Sequence, residues 1–213
     1  MFIATPAYLA PSSATERTAT DVLNLLGGSW NVSAGHPWIG NVRSDLLGLF
    51  LESGATHLLW LDADVSFEAD VARRLLSLEV PIATCTYRKR RPPHTFNLRA
   101  QALELGRLGQ SAMGRLLGER VIAVERDGLG CCLMKRAVGL ALYDRYRAEL
   151  GYGDRVHLFA HGVVELDGKR FMDGEDGAFF DRVHACGFQP WCMVDATVMH
   201  DGVRGNLGEE LDG

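Results

Sequence analysis

Apolar residues fall along the chain in short blocks separated by turn-forming residues. Phe2 to Ala7 reads as a buried strand, stopped by Pro6 and Pro11. Ser13-Ala14-Thr15-Glu16 has the spacing of a capping box and predicts a helix that runs to the Gly27-Gly28 pair. Trp30 to Ala34 predicts a second strand. From Asn41 to Ser53, apolar residues at Val42, Leu46, Leu49 and Phe50 mark one face of a helix, closed by Gly54. The run HLLWL, His57 to Leu61, predicts a third strand. It ends in Asp62-Ala63-Asp64, and the next helix is expected to take Ser66 as its cap, with Glu68 and Asp70 in its first turn. Pro81 to Thr86 is a fourth strand. This alternation predicts an α/β fold: a mostly parallel central sheet with helices on both faces and ligands beyond the carboxyl ends of its strands.

The second half is less regular. Arg88 to Pro93 (RKRRPP) reads as a basic loop, and residues 96–120 fit either a helix or an irregular flap. Strands are expected at Val121 to Glu125 and Leu129 to Met134, and a helix from Arg136 to about Leu150. Further strands are expected at Arg155 to Ala160 and Val163 to Leu166, with a turn at Asp167-Gly168. A helix from Glu175 to Ala185, the strand Trp191 to Val194 and a tail containing His200 follow. Neither a repeat nor a linker interrupts the pattern, so a single domain is expected.

Composition narrows the class. Of 213 residues 47% are hydrophobic, and the formal net charge is −5. That supports one sizeable core and gives no overall bias toward nucleic acid, though a local basic patch such as Arg88 to Arg91 could still meet phosphates. The five cysteines show no CxxC spacing, which argues against structural zinc or a disulfide framework. With no basic leader in MFIATPAYLAP and no apolar window of about 20 residues, a soluble cytoplasmic protein is expected.

Three places carry candidate chemistry. Asp62 and Asp64, at i and i+2 on an extended segment, would face the same side and could share one hard cation, Mg²⁺ or Mn²⁺; alternatively one of them caps a helix. Glu175 and Asp176 open a helix, where acids complement the dipole, or one serves as a general base toward a cleft. His200-Asp201-Gly202 follows the last strand, and a His there could complete a metal sphere or be merely structural.

In their order along the chain, these segments, with the Gly-rich stretch Gly128-Leu129-Gly130-Cys131-Cys132 between them, resemble the GT-A fold glycosyltransferases, especially compact bacterial and phage members similar to family 2. The likeness runs from about Phe2 to Gly202. It implies a nucleotide-sugar donor, usually a UDP-sugar, held by residues 1–95, and an acceptor and catalytic half in residues 96–213. On that likeness Thr5, Pro6 and Tyr8 hold base and ribose. Asn41 and Arg43 match a polar pair that touches the nucleotide or braces Asp62. Asp64 and His200 ligate the cation, Asp62 contacts ribose or metal-bound water, and Tyr87, Arg88 and Lys89 line the sugar or diphosphate pocket. Asp176 matches the base of inverting members, and Glu175 binds acceptor or orients a loop. Gln189-Pro190-Trp191 is only a superficial counterpart of the Gln-x-x-Arg-Trp motif of processive polymerases, so processive synthesis is not expected. The acceptor stays open: a 5-hydroxymethylpyrimidine in DNA, a glycan or a small molecule. Two rival classes remain. A nucleotidyltransferase or metal-dependent phosphoesterase would use the same Asp pair, and a non-catalytic nucleotide-sugar binding module would show no turnover.

Overall fold

The computed structural model describes residues 1–100, 120–166 and 168–212. In the first half, strands β1 (Phe2–Ala7), β2 (Ser29–Ala34), β3 (His57–Leu61), β4 (Val65–Ser66) and β5 (Ile82–Thr84) alternate with helices α1 (Ser13–Leu26), α2 (Ile39–Ser53) and α3 (Ala69–Ser77). The second half contributes β6 (Arg99–Ala100), β7 (Val121–Arg126), β8 (Cys131–Lys135), α4 (Arg136–Leu150), β9 (Gly151–Tyr152), β10 (Arg155–Val156), β11 (Gly162–Leu166), β12 (Lys169–Asp173), α5 (Glu175–Ala185), β13 (Trp191–Met193), β14 (Val198–His200), β15 (Val203–Gly205) and α6 (Leu207–Asp212).

Eight strands form the central sheet in the order β2-β1-β3-β8-β5-β13-β7-β6. β1 runs parallel to β2 and β3, and β13 to β5, whereas β8 and β7 run against their neighbours. The sheet is therefore mostly parallel in strand direction but mixed in pairing. Period-2 alternation splits each buried strand between two cores. Leu58 and Trp60 of β3 join Phe50, Phe159 and Phe179 beneath α2, α4 and α5. Leu59 and Leu61 join Val22, Val71 and Leu75 beneath α1 and α3. Both faces are covered, which is why β3 is apolar from Leu58 to Leu61.

Several local expectations shift. The cap of α1 is Ser12, whose hydroxyl accepts from the Thr15 N–H at 3.1 Å, one residue before the expected box. Ser66 does not cap α3. It lies in β4, and the helix starts after Glu68 without a side-chain cap. The stretch Arg155 to Ala160 is extended only at Arg155–Val156. Beyond it the chain turns so that the Phe159 ring stacks on Phe179 at 4.7 Å, a packing demand that overrides local strand propensity. β11 and β12 pair with Leu166 opposite Lys169, and Gly168 has a positive φ of 71°; Asp167, the other expected turn residue, lies outside the described residues, as do 101–119 of the expected helix or flap. All five cysteines are free thiols. Among the described residues no helix is long and apolar enough to cross a membrane.

Candidate active site

Leu61 is the last residue of β3, and the Val65 N–H donates to the Asp62 carbonyl at 3.1 Å, so Asp62 to Val65 form a turn. The expected extended segment is therefore corrected to a turn, in which the two carboxylates take different side-chain partners. Asp62 Oδ1 accepts from Arg43 Nη2 at 2.9 Å. Asp64 Oδ2 lies 3.5 Å from His200 Nε2 and 3.2 Å from Arg90 Nη1.

Backbone pairing brings Asp64 and His200 together. β14 lies antiparallel to β4 with His200 opposite Val65, and the Asp201 N–H donates to the Asp64 carbonyl at 2.8 Å. His200 Nδ1 lies 2.7 Å from the Arg88 carbonyl, an acceptor that requires the proton on Nδ1 and leaves Nε2 as the nitrogen facing Asp64. Burial lowers the His200 pKa, but the bonds to Asp64 and the Arg88 carbonyl more than offset it. Burial raises that of Asp64, and His200 and Arg90 more than reverse the effect. Tyr87 sits edge-on to the His200 ring with centroids 5.0 Å apart.

Arg43 is the centre of charge. Its side chain is only 3% exposed, on the buried face of α2, over the Trp60 ring. Besides Asp62 it meets Asp176 Oδ1 at 3.7 Å, while its Nε and Nη1 are buried without hydrogen-bond partners among the described residues. Asp176 comes from the first turn of α5, and its Oδ2 accepts weakly from the Leu129 N–H at 3.4 Å. Burial pushes its pKa up to about 7; Arg43 opposes this, and the carboxylates of Asp62 and Glu175 add to it.

These groups wall a cavity of about 620 Å³, which opens past the end of β1 (Pro6, Tyr8, Leu9) and takes in Ile39, Arg43, Asp62, Asp64, Arg90, Glu175 and Asp176. A second cavity of about 370 Å³ lies beyond Glu175 and Asp176, which line both.

Not every expected residue lies on these walls. Thr5 is fully buried, and its hydroxyl accepts from the Trp30 indole N–H at 2.9 Å, because the strand period turns it into the core. Asn41 is exposed on α2 and lines neither cavity. Tyr87 is buried below the site, its hydroxyl accepting from the Gly130 N–H at 2.9 Å. Lys89 lines the second cavity, not the first. Arg88 is occupied by Glu210 and the His94 carbonyl. Sequence reasoning missed Leu9, Ile39 and Arg90 as wall residues. Leu9 follows the first strand end, where ligands of such sheets collect, and Arg90 belongs to the basic run Arg88 to Arg91; only Ile39 carried no local signal.

Among the described residues no group of three or more His, Cys, Asp or Glu side chains converges to hold a metal unaided. Asp64 and His200 supply two ligand atoms of the hard-to-borderline type that suits Mn²⁺ or Mg²⁺, with the His tautomer already set.

No protein-family model and no curated protein matches the chain. Among solved structures, A197 from STIV is 14% identical with a TM-score of 0.55, over 94% of this chain and 85% of that one. GalNAc-T7, solved with UDP, GalNAc and Mn²⁺, is 9% identical with a TM-score of 0.47, over 94% of this chain and 43% of that one. The first likeness establishes a shared fold; the second is too distant to support an argument about chemistry.

Proposed function

We propose that the chain is a metal-dependent glycosyltransferase of the GT-A type. It would move a sugar from a nucleotide-sugar, with UDP as the expected nucleotide, to an acceptor hydroxyl. The observation that carries this reading is the convergence of Arg43, the Asp62–Asp64 turn and Asp176, from three separate stretches, on one cavity beyond the ends of β1 and β3.

In this reading Pro6, Tyr8 and Leu9 form the ledge for base and ribose, and Arg90 exchanges Asp64 for the donor diphosphate. Asp64 and His200 would hold a divalent cation, Mn²⁺ or Mg²⁺, whose chemistry is Lewis-acid stabilisation of the diphosphate leaving group. Asp62, tied to Arg43, contacts ribose or metal-bound water. Asp176, with a pKa of about 7, is poised to take a proton from the acceptor hydroxyl at neutral pH. Attack from the side of Asp176, opposite the leaving group, gives inversion at the anomeric carbon. The chain works as one domain, its first 95 residues forming the donor side and α5 supplying the base.

A thermal-shift series of nucleoside diphosphates with and without Mn²⁺ tests the donor site. UDP at a hundred-fold excess over its Kd should stabilise the protein by about 2.7 kcal/mol, on the order of 5–10 °C for a chain of this size, only when metal is present. Indifference to every nucleotide would overturn the reading.

A further inference from the structure

We propose that the second cavity binds the acceptor, and that this acceptor is a neutral polyhydroxylated molecule, a saccharide, rather than a phosphorylated compound or DNA. The inference rests on the glycosyltransferase reading and adds the substrate class that reading leaves open.

Position comes first. The cavity of about 370 Å³ falls in the range of small-molecule sites and shares Glu175 and Asp176 with the donor cavity. A hydroxyl held in it therefore approaches the donor from the side of Asp176.

Charge decides the class. Three cations line the cavity, Lys89, Arg99 and Arg126. Arg126 is held by Asp173 at 2.9 Å and Asp181 at 2.6 Å, and Arg99 by Glu125 at 2.8 Å. Among the described residues only Lys89 of the three has no carboxylate partner. Against it stand Asp173, Glu175 and Asp176 on the same wall. Among the described residues Asp173 Oδ2 and Asp176 Oδ1 are buried oxygens without hydrogen-bond partners, Asp176 Oδ1 having only the 3.7 Å ion pair to Arg43. Such oxygens repel phosphate and call for O–H donors, which a saccharide supplies in number. Phe96 and Leu98 complete the lining with the apolar surface that one face of a sugar ring presents. Of the basic loop, Arg88 is bound to Glu210 and Arg90 is taken by the donor diphosphate in the glycosyltransferase reading, so neither is free for a DNA backbone.

The transfer step balances. The acceptor oxygen forms the new bond to the anomeric carbon as the bond to the donor β-phosphate breaks. The nucleoside diphosphate leaves with the electron pair, and the hydroxyl proton passes to the Asp176 carboxylate.

The test measures nucleoside diphosphate release by the full chain with Mn²⁺ and a panel of nucleotide-sugars. Acceptor arms are methyl glycosides and disaccharides, sugar phosphates, and duplex DNA carrying 5-hydroxymethylcytosine. Neutral saccharides should raise release at least 10-fold over water alone, and the two anionic classes should not. Stimulation by sugar phosphates or DNA without stimulation by neutral saccharides would overturn the inference. So would donor hydrolysis that no saccharide accelerates, an outcome that leaves the donor reading standing. Absence of any nucleotide binding or turnover would overturn both. Asp173→Asn keeps an oxygen for Arg126 but places an amide at the unpartnered position. It should raise the saccharide KM at least 10-fold with kcat changed less than 3-fold, and an unchanged KM would count against the site. Should that variant fail to fold, saturation-transfer NMR of methyl glycosides on the native chain with UDP and Mn²⁺ decides: saturation transfer supports the site, and its absence overturns it.

Discussion

Asp176 and Arg43 illustrate how burial changes the electrostatics of ordinary side chains. At a helix start in water Asp176 would be a dipole complement with an ordinary carboxylate pKa. Inside the cleft, desolvation lifts it to about 7, and Arg43 keeps it from rising further. In its proposed role as base Asp176 works only when ionised, so turnover should climb with pH and level off above about 7–8. Asp176→Asn should remove roughly 10²–10⁴-fold of the rate while UDP still stabilises the protein. Steady-state rates across pH 5.5 to 9, paired with thermal shifts, check both. Arg43→Gln leaves the half-buried Asp62 and Asp176 without their cation, which should cost on the order of 2–3 kcal/mol in urea unfolding, below the range for a fully buried pair. The loss should shrink at acidic pH, where the two carboxylates protonate and no longer need a partner.

At the scale of elements, the Gly-rich segment between β7 and β8 has a steric explanation. A Cβ on Gly130 would sit 2.7 Å from the Tyr87 hydroxyl and 2.9 Å from Asp62 Oδ2. The bare backbone lets Tyr87 and Asp62 close on it, and Tyr87 in turn supports the His200 ring. Gly130→Ala should therefore destabilise by about 1–3 kcal/mol and weaken metal-dependent UDP binding, measurable by denaturant titration and thermal shift. The Gly-x-Gly spacing is visible in the sequence; the partners that require it are not, because they come from the segments that follow β3 and β5. The capping of α1 and α3 was also misplaced by sequence reasoning. Ser12 and Ser13 are both competent caps, and only the path of the chain out of β1, where the Ser12 N–H donates to the Ala63 carbonyl, chooses between them.

For the whole molecule, stability depends on a buried acid between sheet and site. Asp127 is 3% exposed, accepts from the Thr84 hydroxyl at 2.6 Å and the Gly128 N–H at 2.8 Å, and burial pushes its pKa up to about 6. Between about pH 4 and 6 the folded chain keeps a proton that the unfolded chain has lost. Stability should thus fall as pH rises through that window, by on the order of 3 kcal/mol from this group. Asp127→Asn should flatten that part of the profile, seen by comparing urea midpoints at pH 4.5 and 7. The α/β class, the strands on both sides of HLLWL and the helix carrying Phe179 and Phe180 could be read from the sequence alone, because hydrophobic period is a local property that both sheet faces imprint on the chain. Asp62 and His200 could be singled out as polar residues ending apolar runs, Asp64 by its spacing from Asp62, and Asp176 as an acid opening a helix. Their partners could not be read from the local pattern, and only the family resemblance set Arg43 against Asp62 and Asp64 beside His200. That Asp62 turns to Arg43, that Asp64 meets His200 through the β4–β14 pairing, and that Thr5 faces Trp30 all depend on register between distant segments, and only the packed tertiary structure decides them.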